Sequence, residues 1–287
     1  MPMTDVRQAV LAFGARGLRS LPWRATRDPW AVLVSELMLQ QTQAARVAPA
    51  WERFLGRFPT VRACAAAGPG EVVAAWSGLG YNRRAVFLHR TASMVVERHG
   101  GEFPDRLSDL LALPGLGPYT ARAVLAFAFG QDVGVLDVNA ARVLARAVAG
   151  SPLNATEAQD LADALVPSGR GWGWNQALLD LGAQVCTSRA PRCASCPLAA
   201  GCRWRRTGGR DPALGSAGAG GRQSRFEGSH RQGRGRLLRA LTRGSVGRSE
   251  LAEACGWPAS PDRAQRAASG LVRDGLARWE GELLVLA

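Results

Sequence analysis

Four cysteines, Cys186, Cys193, Cys196 and Cys202, fall in a single stretch with the spacing Cys-x6-Cys-x2-Cys-x5-Cys. Thiolates this close in sequence can converge on one inorganic centre without long connecting loops, so the stretch reads as a metal-holding loop. Zinc and an iron–sulfur cluster both accept four thiolates, and ligand chemistry alone leaves the two open. Disulfides are not expected. The N-terminal MPMTDVRQAV lacks the basic and then apolar layout of a secretory leader, which points to a cytoplasmic protein with reduced thiols. The two remaining cysteines, Cys64 and Cys255, lie far away in the chain and read as small core residues.

Charge narrows the class of partner. The formal net charge is +13, and all 36 basic residues are arginine. Such an excess calls for a polyanion, either nucleic acid or an anionic membrane surface. No apolar run approaches the roughly 18–20 residues that span a bilayer, so no membrane partner is expected. The absence of lysine also removes every side-chain amine that could form a Schiff base.

Apolar periodicity predicts helices over 30–43, 51–57, 70–77, 83–98, 107–113, 119–129, 139–149, 157–166 and 174–186. Their stops are marked by Pro59, Gly100, Pro114, Gly130, Gly150 and Pro167. Helices at this density without alternating strands argue for an all-α fold over residues 1–206. Residues 207–235 are rich in Gly, Ser and Arg and lose apolar periodicity, as a flexible basic linker would. Order returns over 236–287, where three short helices precede a hairpin turning at Gly281. That layout is winged-helix-like.

Three further motifs carry chemistry. In Leu113-Pro114-Gly115-Leu116-Gly117-Pro118-Tyr119-Thr120, Gly115 and Gly117 permit a tight turn and close approach of backbone to a ligand. The helix that follows offers its N–H groups to a phosphate. Eighteen residues past Tyr119, Asp137 opens a helix in Val135-Leu136-Asp137-Val138-Asn139, the position of an N-cap. In Ser35-Glu36-Leu37-Met38-Leu39-Gln40-Gln41-Thr42, Glu36 shares its helical face with apolar residues, and desolvation there favours a protonated carboxyl group.

Taken together and in this order, the four motifs resemble the MutY-type adenine glycosylases of the helix–hairpin–helix (endonuclease III) superfamily, in a short actinobacterial-like form. The resemblance covers roughly residues 5–206. It implies an all-α helix–hairpin–helix DNA glycosylase domain with a 4Fe–4S cluster on Cys186, Cys193, Cys196 and Cys202; the linker and the small C-terminal winged-helix-like module lie beyond it. By resemblance Glu36 is the general acid, Asp137 stabilises the cationic sugar, and Tyr119 and Asn139 support the attacked sugar. Trp23, Arg24 and Gln176 would line the base pocket. Gln41, with Gln40, Thr42 and Tyr81, would enter or flank the base stack, while Gly115, Gly117 and Arg189 would meet phosphates.

The implied partner is double-stranded DNA containing a mismatched or damaged base, bound by a monomer. The implied reaction is monofunctional removal of adenine opposite 8-oxoguanine or guanine. Lysine-dependent relatives carry an amine in the hairpin, where this chain has Tyr119. A mismatch thymine or uracil glycosylase is the enzymatic alternative, and a noncatalytic damage-binding protein is the alternative of another class. Three departures bear on lesion recognition: residues 236–287 are too short for a Nudix-like domain, Asn82 stands where relatives often carry a second aromatic residue, and Val138 stands where a glycine more commonly follows the aspartate.

Overall fold

The computed structural model describes residues 2–216 and 225–287. Its helices are α1 (Met3–Ala15), α2 (Pro29–Leu39), α3 (Ala44–Arg57), α4 (Val61–Ala66), α5 (Pro69–Ala75), α6 (Arg83–His99), α7 (Leu107–Leu111), α8 (Pro118–Phe127), α9 (Val138–Val143), α10 (Ala155–Leu165), α11 (Gly171–Gln184), α12 (Arg203–Thr207), α13 (His230–Leu241), α14 (Leu251–Cys255) and α15 (Pro261–Arg273). The all-α reading holds for the N-terminal two-thirds of the chain. No described helix is long and apolar enough to cross a membrane.

Several boundaries differ from the sequence reading, each for a local reason. Helix α2 stops at Leu39 rather than continuing to residue 43, because Gln41 adopts a left-handed φ of 58°. Helix α3 begins at Ala44, earlier than the window 51–57, and runs through Pro49, although a proline inside a helix removes one backbone hydrogen bond. The window 139–149 divides into α9 and a π-helical stretch, Leu144–Ala149. Helix α1 was not anticipated, since only Val6 and Val10 of it are buried.

The chain resolves into two compact units. The first comprises Met1–Val32, Asp105–Leu111 and Leu116–Gly221. Its core includes Val10, Leu144, Leu165, Trp174, Leu178 and Leu181. Helix α1 lies against α11 so closely that a Cβ at Gly14 would meet the Ala177 Cβ at 2.8 Å. Side chains such as these contribute about 1.5–3 kcal/mol each when fully buried.

The second unit comprises Leu33–Pro104, Ala112–Gly115 and Arg222–Ala287. It contains most of α2, helices α3 to α6, and the C-terminal module. Around α13, α14 and α15 that module folds a three-stranded antiparallel sheet of β1 (Val246–Gly247), β2 (Ala277–Glu280) and β3 (Leu283–Leu286), in the order β1-β3-β2. The hairpin turns at Gly281, where φ is 58°. Strand β1, only two residues long, gave no signal in the sequence. The module is winged-helix-like.

Within the span read as a linker, 207–235, residues 217–224 lie outside the described residues. On one side of them Asp211 and Ser216 are tied to the first unit: Arg146 Nη2 donates to Asp211 at 2.5 Å and Leu153 N donates to the Ser216 hydroxyl at 3.1 Å. On the other side α13 already begins at His230, capped by Ser229. The helix read from residue 236 on the stripe of Leu237, Leu238 and Leu241 thus starts six residues earlier.

Candidate active site

In the first unit, Asp137 is the N-cap of α9. Its Oδ1 accepts from Asn139 N at 2.8 Å and Ala140 N at 2.7 Å, and its Oδ2 accepts from Asn139 Nδ2 at 2.7 Å. Burial pushes the Asp137 carboxyl group above the ordinary carboxylate range, although these three bonds and nearby Arg142 act in the opposite sense. Asn139 thus has its amide turned to the aspartate. Its Oδ1 accepts from Arg142 Nη2 at 2.7 Å, and Arg142 Nε donates to Cys186 O at 2.7 Å. A continuous set of hydrogen bonds therefore runs from Asp137 to the first cysteine.

The extended segment entering Asp137 is pinned from behind. Asn175 accepts from Val135 N at 2.8 Å and donates to Val133 O at 2.9 Å, while Gly134 N donates to Asp163 Oδ1 at 2.7 Å. Neither Asn175 nor Arg142 could be assigned this role from sequence. Their partners are backbone groups some 40 positions away, which no spacing pattern reveals.

Arg24, expected at a base pocket, has both terminal nitrogens on Asp180, at 2.9 and 2.7 Å. Arg19 adds its own N–H and Nε to the same carboxylate. Asp180 has a side-chain exposure of 1%. Burial opposes its charge, but the bonds from Arg24 and Arg19 hold its carboxyl group below the ordinary range. Arg24 therefore anchors the turn that carries Trp23, which is buried, as is Gln176 on α11. Tyr119 is half-buried in the first turn of α8, and Arg189 is exposed.

Gly117 caps α8 in extended conformation, and a Cβ there would meet nothing within 4 Å. In the second unit, Gly115 takes a left-handed φ of 76°, with the Phe87 Cβ 2.6 Å from where its own Cβ would lie. The hairpin thus needs glycine at 115 for its own packing. At 117 the open space favours approach of something else.

Glu36 lies in the second unit, only 4% exposed, on a helix whose Leu33, Val34, Leu37 and Met38 are at most 1% exposed. Helix α2 ends beneath Arg84, which the sequence reading did not single out. Its Nη1 donates to Leu37 O, Met38 O and Gln40 O at 2.6, 2.9 and 2.5 Å, and its Nη2 donates to Thr42 Oγ1 and Gly80 O. Burial lowers the Arg84 pKa to about 10, still well above neutrality. One guanidinium thus joins the 40–42 turn to the 78–81 loop. Exactly two non-glycine residues among those described have left-handed φ, Gln41 at 58° and Tyr81 at 47°, and they lie in these two segments. Gln40 and Thr42 are half-buried, while Gln41 and Tyr81 are exposed.

The four clustered cysteines line one partly open pocket, with Val143, Arg146, Leu198 and Trp204. Arg146 Nη1 approaches Cys186 Sγ at 3.5 Å, and the Cys202 thiol points at Arg146 O, 3.4 Å away, a carbonyl within the π-helical stretch. Among the described residues, no three ligand side chains converge as a single small ion requires. Burial raises the Cys186 and Cys196 thiols, and it pushes those of Cys64 and Cys255 up to about 12 and about 11, which fits core residues.

Comparison with known proteins places these features in a family. Residues 34–167 match the model of the HhH-GPD superfamily base excision DNA repair proteins. An adenine DNA glycosylase of Mycolicibacterium smegmatis is 42% identical over 264 residues, covering 90% of this chain and 87% of that protein. Among solved structures, a thermostable thymine-DNA glycosylase superposes with a TM-score of 0.69 at 31% identity, covering 71% of this chain and 97% of that one. A trapped endonuclease III–DNA covalent intermediate superposes with a TM-score of 0.63 at 22% identity, covering 72% and 98%, a likeness of fold.

Proposed function

The chain belongs to the adenine DNA glycosylases of the HhH-GPD superfamily, and from that premise we propose that it hydrolyses the N-glycosidic bond of adenine opposite 8-oxoguanine or guanine, acting as a monomer on double-stranded DNA and leaving an abasic site. The observation that carries the mechanism is the held, desolvated Asp137 carboxylate. Its burial penalises the negative charge. A positive charge developing on a sugar beside it removes that penalty, so the attraction is strongest in the transition state, as catalysis requires.

Glu36, only 4% exposed, serves as general acid to the departing purine. Asn139 orients Asp137 through the 2.7 Å amide bond. Trp23 and Gln176 bound the base pocket, with Arg24 fixing Trp23. Tyr119 borders the sugar. Gln41 and Tyr81, flanked by Gln40 and Thr42, enter the space left by the extruded base, while Gly115, Gly117 and Arg189 face phosphates. Without lysine, no side-chain amine can trap the sugar and cut the strand.

Four thiols spread around one cavity fit a 4Fe–4S cluster, in which each iron takes its own thiolate. Arg146 and Arg142 beside Cys186 would offset the negative charge. The cluster would supply cross-linking of the 186–202 loop rather than a reacting group. Iron and sulfide analysis of purified protein should give about four of each per chain; zinc in their place would refute this assignment.

The decisive assay uses end-labelled duplexes carrying one A:8-oxoguanine, A:G, T:G or U:G pair, treated with or without hot alkali. Alkali-dependent cleavage at adenine is expected. Cleavage at thymine or uracil would move the chain toward the thymine-DNA glycosylase that its fold also resembles. Binding without cleavage at any pair would overturn the enzymatic reading.

A further inference from the structure

The C-terminal module reaches the 78–81 loop. Arg231, in the first turn of α13, donates from Nη1 to the Tyr81 hydroxyl at 3.2 Å. The same tyrosine is held from below by Arg84, whose N and Nε both donate to Tyr81 O, at 3.0 and 3.3 Å, and whose guanidinium lies 5.5 Å from the ring centroid. The module is also seated on the helices beside this loop. A Cβ at Gly70 would come within 2.4 Å of Ala287 O, and Gly275 packs against Val86 and Arg90.

A bulky residue with left-handed φ is strained and persists only where its surroundings over-determine it. Tyr81 is also 43% exposed, so packing alone does not hold its ring. Two arginines hold it instead, one through its backbone carbonyl and one through its hydroxyl. The second belongs to a module well separated in sequence from the motifs that resemble the glycosylases.

We infer that the C-terminal module is part of the base-flipping apparatus, with Arg231 as the positioning residue that presents the Tyr81 ring to the base stack. Phosphate binding by the module's other arginines would be an addition to this role. The inference rests on Tyr81 entering the DNA stack, as proposed above.

Full-length Arg231→Ala, Tyr81→Phe and the double variant test it, with Arg231→Lys as the conservative replacement. Arg239→Ala, at an exposed arginine of the same helix, controls for the loss of one charge. The first readout is hydrogen exchange of the amides of residues 79–84 in DNA-free protein, alongside thermal unfolding. The second is 2-aminopurine fluorescence at the target position of a duplex, which reports extrusion. Exchange should rise in Arg231→Ala and not in Arg239→Ala. Extrusion should slow about three- to tenfold in Arg231→Ala and in Tyr81→Phe, as loss of one charge-assisted hydrogen bond predicts. The double variant should be no slower than the slower single one, and Arg231→Lys should recover part of the loss.

Independent, multiplying effects would overturn the inference, as would Arg231→Ala behaving like Arg239→Ala. Unchanged exchange combined with adenine excision overturns it while leaving the proposed function standing. Raised exchange in a protein that excises another base supports the contact and removes the adenine reading. An unfolded Arg231→Ala shifts the decision to Tyr81→Phe, which removes one oxygen atom; unchanged exchange and extrusion in that variant overturn the inference.

Discussion

Replacing Asp137 with asparagine separates two effects that the structure couples. The Asp137 Oδ1 accepts from two backbone N–H groups, so an asparagine must keep its oxygen there. Its Nδ2 then faces the Asn139 Nδ2, which cannot turn away because the Asn139 Oδ1 accepts from Arg142. The substitution therefore creates a donor–donor conflict costing about 1–3 kcal/mol at every pH. The charge acts in the opposite direction. Because burial raises the folded-state pKa of Asp137, the native state binds more protons than the unfolded state between the ordinary carboxylate value, near ~4, and the raised one. Stability of the parent protein then falls as pH rises through that window and stays lower above it, by about 1.4 kcal/mol for each unit of elevation. Asparagine carries no such charge. Urea unfolding of Asp137→Asn beside the parent between pH 4 and 8 should show the variant least stable, relative to the parent, at low pH and recovering as pH rises. Single-turnover excision should fall by about 10²–10³ or more with DNA binding retained. A stability gap that is constant with pH, or that widens toward high pH, would refute the burial argument. Undiminished excision would refute the role of the carboxylate.

Asp180→Asn leaves Arg24, whose side chain is 8% exposed, without its anion and should destabilise by about 3–5 kcal/mol in urea unfolding. Since the Asp180 pKa is lowered, the parent should lose that stabilisation as pH falls through its folded value; an Asn variant as stable as the parent at neutral pH would remove the anchoring role. Gly115→Ala should destabilise by about 1–3 kcal/mol or more through its positive φ and the Phe87 contact, whereas Gly117→Ala should change stability by less than about 1 kcal/mol but weaken duplex binding. Equal thermal stability of these two variants would contradict the division of labour within the hairpin. Native-state alkylation near pH 8 should spare Cys64 and Cys255, whose thiols stand near 12 and 11; labelling of either before unfolding would contradict its burial.

The parts of the site legible in the sequence are those fixed by local spacing. The four-cysteine loop, the glycines of the hairpin and the Asp137 N-cap each depend on neighbours within a few residues, and all three recur in the structure as local features. What the sequence concealed is long-range. Arg84 meets carbonyls more than 40 positions away, Asn175 pins Val135, and Arg231 meets a tyrosine 150 positions away. Arg24 is expected at the base pocket by resemblance alone, and its tie to Asp180 on α11 has no signal in the sequence. The module boundary was placed late because seven residues of α13, HRQGRGR, carry no apolar side chain, and their burial comes from Gly233 against the Trp257 ring.

Arginine explains much of this concealment. A net charge of +13 carried entirely on arginine reads as one undivided electrostatic surface. Yet several guanidinium groups face inward, where their planar forks order backbone and carboxylates. Arg84 takes neutral carbonyls as partners, so its charge is not cancelled and still contributes to the field that attracts phosphates. Arg146, by contrast, is paired with Asp211 and contributes little to that field. The same residue type thus fixes the 40–42 and 78–81 loops and supplies attraction for a polyanion. Lysine could supply only the second function, because a single ammonium group cannot reproduce the several directed bonds of Arg84 to two separate loops. Arg84→Lys would therefore retain the field but should loosen both loops together, and exchange at residues 40–42 and 79–82 rising in parallel would identify them as one mechanical element.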